Sequence, residues 1–475
     1  MKFESIDIVF SIVILLLYFI IVVLNRAQTA LSISGEEKES DEDLLDSAHE
    51  LNMYKKGLSI SFICTIIIYA LYHIAIETGM GSHIMEWLNL IIRWAHVVLG
   101  IAWIGASFYF IFLENSLNRT ENLRDELAGN LWAIHGGGFY YVEKYKTAPG
   151  VIPKHLHWFK YEAYFTWLTG MILLTLVYFA NAKAVMIDKS VRDISSLTAI
   201  LIGSGTMFFG WFVYDAMCRT SLLQKKQLFG AIGFIIVAAI SFFLSHFLSG
   251  RASFMLVGGL LGTIMAGNVF FCIIPSQKAL VAAAKANKPV NPELGKIAGL
   301  RSLHNNYITL PVEFIMISNH FPTTFGNTFT WAVLSGLIIA SVAVRHYINL
   351  YEKGQSLFWL IPFAAIALIS LVIVTAPVPK KSAKDMPPVA FSAVQPIIQK
   401  RCVICHSSNP TDDINKIAPG GFMFDTPEEI KSHADRILVR AVQTKTMPQG
   451  NKTEMTEEER ETLRVWIEQG CPLAP

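Results

Sequence analysis

The sequence predicts an all-α protein of two unlike parts, a polytopic bundle of about ten membrane-spanning helices and a small polar helical domain behind it. Three observations lead there. Of 475 residues, 53% are hydrophobic and only 16% charged, against roughly a quarter charged in an ordinary soluble domain. Ten apolar segments approach the ~20 residues that a helix needs to cross a ~30 Å hydrocarbon core. A stretch rich in proline and lysine, residues 376–388, then separates these segments from a polar tail.

The apolar segments are residues 6–24, 57–76, 84–113, 159–180, 195–217, 228–248, 253–274, 305–320, 328–348 and 356–375. The first is long enough to span and has no small-residue cleavage site behind it, so it reads as an anchor rather than a cleaved leader. The eighth is the weakest, being short and holding Pro311 and Glu313. The chain therefore divides into an N-terminal extension with two spans and an acidic loop (1–83), a membrane domain of about eight helices (84–375), a semi-rigid tether (376–388) and the tail (389–475). A net charge of +2 gives no reason to expect a nucleic-acid partner. The six cysteines are too scattered for a disulfide framework, and Cys64, Cys218 and Cys272 read as small core residues.

Within the tail, Cys402-Val403-Ile404-Cys405-His406 carries the strongest chemical signal. Two thiols three residues apart, followed at once by an imidazole, suit covalent haem attachment, with His406 as proximal iron ligand. A thioether sulfur is the expected second axial ligand. Met447, before Pro448, is the first choice, with Met423 and Met455 as competitors. The bland readings are a redox disulfide or half a zinc site, and zinc would want two more ligands, for which the tail offers only His433 and Cys471. Residues 390–400 and 456–469 read as helices, the second amphipathic. Together these make the tail a class I-like cytochrome c domain, one haem c its cofactor.

Haem attachment of this kind takes place on the outer face of a bacterial inner membrane, so the tail is expected in the periplasm. Counting back from residue 375 puts the loop 276–303 in the cytoplasm. That loop carries Lys278, Lys285, Lys288, Lys296 and Arg301 against Glu293 alone, as the positive-inside rule requires.

Ionisable groups inside the apolar segments are costly and usually functional. Arg93 and His96 share the third segment with Trp103, and Gly100 flattens the face between His96 and Trp103. That face suits a haem edge or a tightly packed neighbouring helix. His135 opens a glycine triple, Gly136–Gly138, followed by aromatic residues, Glu143 and Lys144. The glycines let backbone approach a bound group, or serve a flexible turn. His304, Asn305 and Asn306 open the eighth segment and Asn319 and His320 close it. They would ligate haem, bond a substrate or cap the helix.

Several of these runs occur together in one family. Arg93–His96 with Gly100–Phe110, His135–Tyr140, His304–Tyr307 with Thr309–Val312, Ser318–His320, and in the tail Arg401–His406, Met423–Glu429 and Met447-Pro448 resemble the membrane-bound urate oxidases, or urate hydroxylases, that carry a fused cytochrome c. The resemblance covers the chain from about Trp87 onward and leaves the N-terminal extension outside the pattern. It implies oxidation of urate to 5-hydroxyisourate in purine catabolism, with electrons passing to the fused haem and a respiratory acceptor (a terminal oxidase or soluble cytochrome c) rather than reducing oxygen to peroxide. It also raises haem b, ligated by His96, as a second cofactor. Under this reading Arg93, His135, Glu143, His304, Asn305 and Asn306 are the candidate catalytic and substrate contacts, because arginine and amides match a planar anion. The competing reading is an electron-transfer subunit that takes electrons from a partner dehydrogenase and has no substrate of its own.

Overall fold

The computed structural model describes residues 81–473 except 121, 378–380 and 413–414, together with a few isolated positions before 81. The two spans and the acidic loop expected before residue 84 lie outside the described residues. The chain divides after Leu88, and residues from Asn89 onward form one compact unit.

The fold is mostly helical, and helices occupy each of the eight segments read from residue 84 onward. They are α1 (Gly81–Ser116), α2 (Tyr161–Leu174), α3 (Ser196–Cys218), α4 (Lys226–Ser245), α5 (Gly250–Gly267), α6 (Pro292–Ser318), α7 (Thr330–Tyr351) and α8 (Leu360–Val374). Wider π turns extend α2 through Phe179 and α5 through Ile273, and the α5 rod then runs on to Lys285. Among the described residues, six helical rods are long and apolar enough to cross a membrane, whereas α8 has only 15 residues and α6 is not among them. Their outward faces keep large apolar side chains exposed, Ile101, Leu201, Phe209, Ile235 and Val372 among them.

Helix α5 is the axis of the bundle. It is buried on nearly all sides, with Phe254, Leu256, Val257 and Leu260 at 0–1% exposure. A helix apolar all round belongs in a core. Small residues let its neighbours close in: a Cβ on Gly258 would stand 2.6 Å from Ile315 of α6, and one on Gly267 would stand 2.5 Å from the Trp211 ring of α3.

Two features depart from the sequence reading. Helix α6 starts thirteen residues before the apolar segment it contains, because the Asn291 side chain accepts from Glu293 N and Pro292 occupies the first turn. Hydropathy alone hides this polar start. Between α1 and α2 the all-α expectation fails locally, since β1 (Leu127–His135) and β2 (Gly138–Tyr145) form an antiparallel hairpin. Its turn residues Gly136 and Gly137 have φ of 57° and 81°, the paired positive values that a tight two-residue hairpin turn requires. Trp132 faces Tyr141 across the strands with ring centroids 4.7 Å apart.

The tail folds around α9 (Phe391–Arg401) and α12 (Glu457–Glu468), with short helices α10 (Pro427–Ser432) and α11 (Ala434–Ile437) between them. Val394 and Ile398 of α9 pack with Leu463 and Trp466 of α12, all fully buried. Thr456 caps α12, accepting from Glu459 N while the Glu459 carboxylate returns to Thr456 N, a reciprocal capping box. The tail rests on one end of the bundle. Lys189 pairs with Glu454 at 3.1 Å, Gly450 lies against Ile187, and Gly326, in the connection between α6 and α7, abuts Thr444.

Candidate functional site

Helix α6, which contains the eighth apolar segment, is rich in buried polar residues. On α6, Arg301, Asn305, Asn306 and Thr309 are all buried. His304 and Asn305 enter one network with residues of α3 and the π turn after α5. Asn268 Nδ2 donates to Tyr214 Oη at 2.9 Å and to Asn305 Oδ1 at 2.8 Å. Having accepted from Asn268, the Tyr214 hydroxyl has its proton free for His304 Nδ1, 2.9 Å away. That assignment puts the imidazole proton of His304 on Nε2. Phe229 stacks on the imidazole at 4.5 Å.

Arg301 completes the network, donating to Asn268 Oδ1 at 3.0 Å and pairing with Asp215 at 2.6 Å. A cleft of about 410 Å³ opens beside it, lined by Asp215, Arg219, Cys272, Lys296 and Arg301. Asn268 stands at the start of the π turn, where one extra residue re-aims side chains, as such turns commonly do at functional sites.

Asn306, the next residue, points into a second cluster. Its Oδ1 accepts from Arg345 Nε at 3.0 Å and from Asn349 Nδ2 at 2.9 Å, both on α7. The Arg345 guanidinium lies 3.8 Å from the centre of the Phe108 ring of α1. Tyr307 and His346 join beside it at 2.7 Å.

The other sequence candidates stand apart from these clusters. Arg93 is exposed and bonds Asn89 at 3.1 Å within α1. His135 is exposed at the hairpin turn, and Glu143 of β2 pairs with Arg124. The structure brings none of the three to His304. His96 is half-buried against α2, its Nδ1 3.1 Å from Thr166 O and 3.0 Å from Thr169 Oγ1. Gly170 allows that approach, since a Cβ there would stand 3.0 Å from the imidazole. The flat face of α1 thus receives a neighbouring helix.

In the tail, α9 delivers its C-cap Cys402 into a turn in which Cys405 N and His406 N both donate to Cys402 O, at 3.1 and 2.9 Å. Both cysteines are free. Burial pushes the Cys402 thiol up to about 12. Burial also holds His406 below its ordinary value, against its bond to Phe422 O at 2.9 Å. That bond occupies Nδ1 and leaves Nε2 free. The Met447 loop is fixed at both ends of the residue, its N–H donating to Arg440 O at 2.9 Å and its carbonyl accepting from Arg460 at 2.8 Å. Among the described residues no three His, Cys, Asp or Glu side chains gather as a bare metal ion would require.

The family model described as urate oxidase N-terminal matches residues 82–376. The chain belongs to the urate oxidase N-terminal family. The match runs from the start of α1 to just past the end of α8, so it contains both polar clusters and stops at the tether. Family membership brings a urate-related oxidase function, and with it the class of oxidoreductase. No curated protein and no solved structure matches the chain.

Sequence reasoning missed Arg345, Asn349 and Asn268. The Arg345–Asn349 pair, one helical turn apart on an apolar helix, carries a legible signal in the sequence.

Proposed function

We propose that the protein is a membrane-embedded urate oxidase that converts urate to 5-hydroxyisourate and passes the electrons to a haem held by its own tail. The overall change is urate plus water giving 5-hydroxyisourate, two protons and two electrons. The observation that carries this reading is the coincidence, within the family-matched residues, of buried amide and guanidinium groups on α6, α7 and the π turn after α5, with the His304 imidazole bonded into the same network. Such groups match the donors, acceptors and charge of a planar oxopurine anion. The helices would sit in the bacterial inner membrane with the tail in the periplasm.

The tail residues fit a covalently attached haem. Cys402 and Cys405 are unpaired thiols in one turn, and His406 keeps Nε2 available through its Nδ1 bond to a backbone carbonyl, the arrangement that orients a ligating imidazole. Met447, anchored by Arg440 and Arg460, would supply the second axial ligand. A haem so bound accepts one electron at a time at a potential raised by the thioether. The onward acceptor would be a terminal oxidase or a soluble cytochrome c. Because urate yields two electrons, a second haem is part of the proposal; His96, packed on α2 through Nδ1, would offer Nε2 as that haem's ligand. A dithionite-reduced spectrum with c-type bands alone, and no extractable haem, would remove it.

The deciding experiment mixes urate with purified full-length protein in detergent. The expected result is direct reduction of the c-type haem, with no partner protein and no peroxide. Reduction only after a partner dehydrogenase is added would give the protein the electron-transfer role instead.

A further inference from the structure

We propose that Arg345, Asn306 and Asn349, floored by Phe108, form the recognition site for the planar anionic substrate. The inference rests on the urate reading above and names the residues that would hold urate.

Arg345 and Asn306 are fully buried and Asn349 is 4% exposed. Their mutual bonds use Arg345 Nε, Asn306 Oδ1 and Asn349 Nδ2. Both terminal guanidinium nitrogens, Asn306 Nδ2 and Asn349 Oδ1 have no hydrogen-bond partner. Four orphaned polar atoms in one cluster are far outside what a folded interior tolerates unless something pairs with them. Phe108 covers one face of the guanidinium, which leaves the edge of the fork for bonding.

The unpaired set has a definite chemistry. The Arg345 fork offers two parallel charged donors, Asn306 a third donor, and Asn349 one acceptor. An oxopurine monoanion presents the complement along one edge: adjacent anionic nitrogen and carbonyl oxygen, with a ring N–H beside them. Fork-to-edge pairing of this kind is what makes arginine selective for planar anions.

The site has a side. Arg345 lies six residues before Tyr351, where α7 ends, or about 9 Å along the axis. The opposite end of α7 begins near Gly326, against which the tail rests. Substrate would therefore load from the end remote from the tail.

The test measures binding of radiolabelled urate to full-length protein in detergent, alongside its thermal midpoint. Wild type should bind saturably. Arg345→Met should weaken binding on the order of 100-fold while leaving the midpoint unchanged or higher, because it removes a buried guanidinium whose two terminal nitrogens have no hydrogen-bond partner. Arg345→Lys should lie between, keeping the charge and losing the fork. Should Arg345→Met fail to fold, Arg345→Lys and Asn349→Ala carry the same test. Normal urate affinity in these variants, with wild type binding, overturns this site and leaves the urate reading standing. A wild-type protein that neither binds nor oxidises urate brings down that reading first, and this inference with it.

Discussion

At the scale of single residues, the protein separates polar groups that hold each other from groups held ready for something else. Tyr214 belongs to the first kind, since it accepts from Asn268 and donates to His304 inside the bundle. Tyr214→Phe should leave Asn268 and His304 each short of a buried partner and cost about 1–3 kcal/mol. A thermal midpoint of the detergent-solubilised variant equal to wild type would disprove that role. His406 belongs to the second kind, with Nδ1 occupied and Nε2 free. Cys402→Ala with Cys405→Ala should leave a tail of bare polypeptide mass after maturation with a working haem-attachment machinery. Added haem mass on that double variant would contradict the assignment of these thiols. The tail residues stood out in sequence because the covalent haem attachment proposed for them would demand a short contiguous motif. The bundle residues were legible only where they clustered along one segment, as His304, Asn305 and Asn306 do. Asn268 and Arg345 come from other helices, and only the packing of α5 and α7 against α6 brings them to the site.

At the scale of elements, hydropathy located the helices because burying backbone in an apolar setting leaves few alternatives to helix. It failed where the governing signal was local. The start of α6 is set by the Asn291 cap, and the hairpin by two positive-φ glycines. In the tail, α9 and α12 are joined by an ion pair in which Arg401 meets both carboxylate oxygens of Glu459, at 3.0 and 2.9 Å. Burial alone would raise the Glu459 carboxyl, but the Arg401 guanidinium and the Thr456 backbone hold it below the ordinary value. A lowered folded value means that this contribution to stability is present above the unfolded value of about 4.3. It is lost as pH falls through the folded value. Glu459→Gln should lower the tail transition in calorimetry at neutral pH, by roughly 4–8 °C per kcal/mol for a domain of this size. The gap from wild type should close at strongly acid pH. A gap that persists there would show that the pair acts through packing rather than charge.

At the scale of the whole molecule, the chain sets its polar clusters and its tail at different ends of one bundle. The tail leans on the connection at Gly326 and on the Lys189 segment. The Arg345 cluster lies near the far end of α7, fifteen residues from Thr330, or about 22 Å along the axis. If the tail faces the periplasm, the site and haem proposed above would take urate from the cytoplasm and release its electrons on the other side, so the reaction would move charge across the bilayer. Sealed vesicles of opposite orientation test this. Inside-out vesicles should oxidise externally added urate and deliver electrons to an acceptor enclosed within. Right-side-out vesicles should oxidise external urate only after permeabilisation, because the anion cannot reach the loading end from outside. Equal rates in intact right-side-out vesicles would place the substrate site at the tail-facing end, where Tyr178 and Arg251 meet Asn319, and would remove the directional argument.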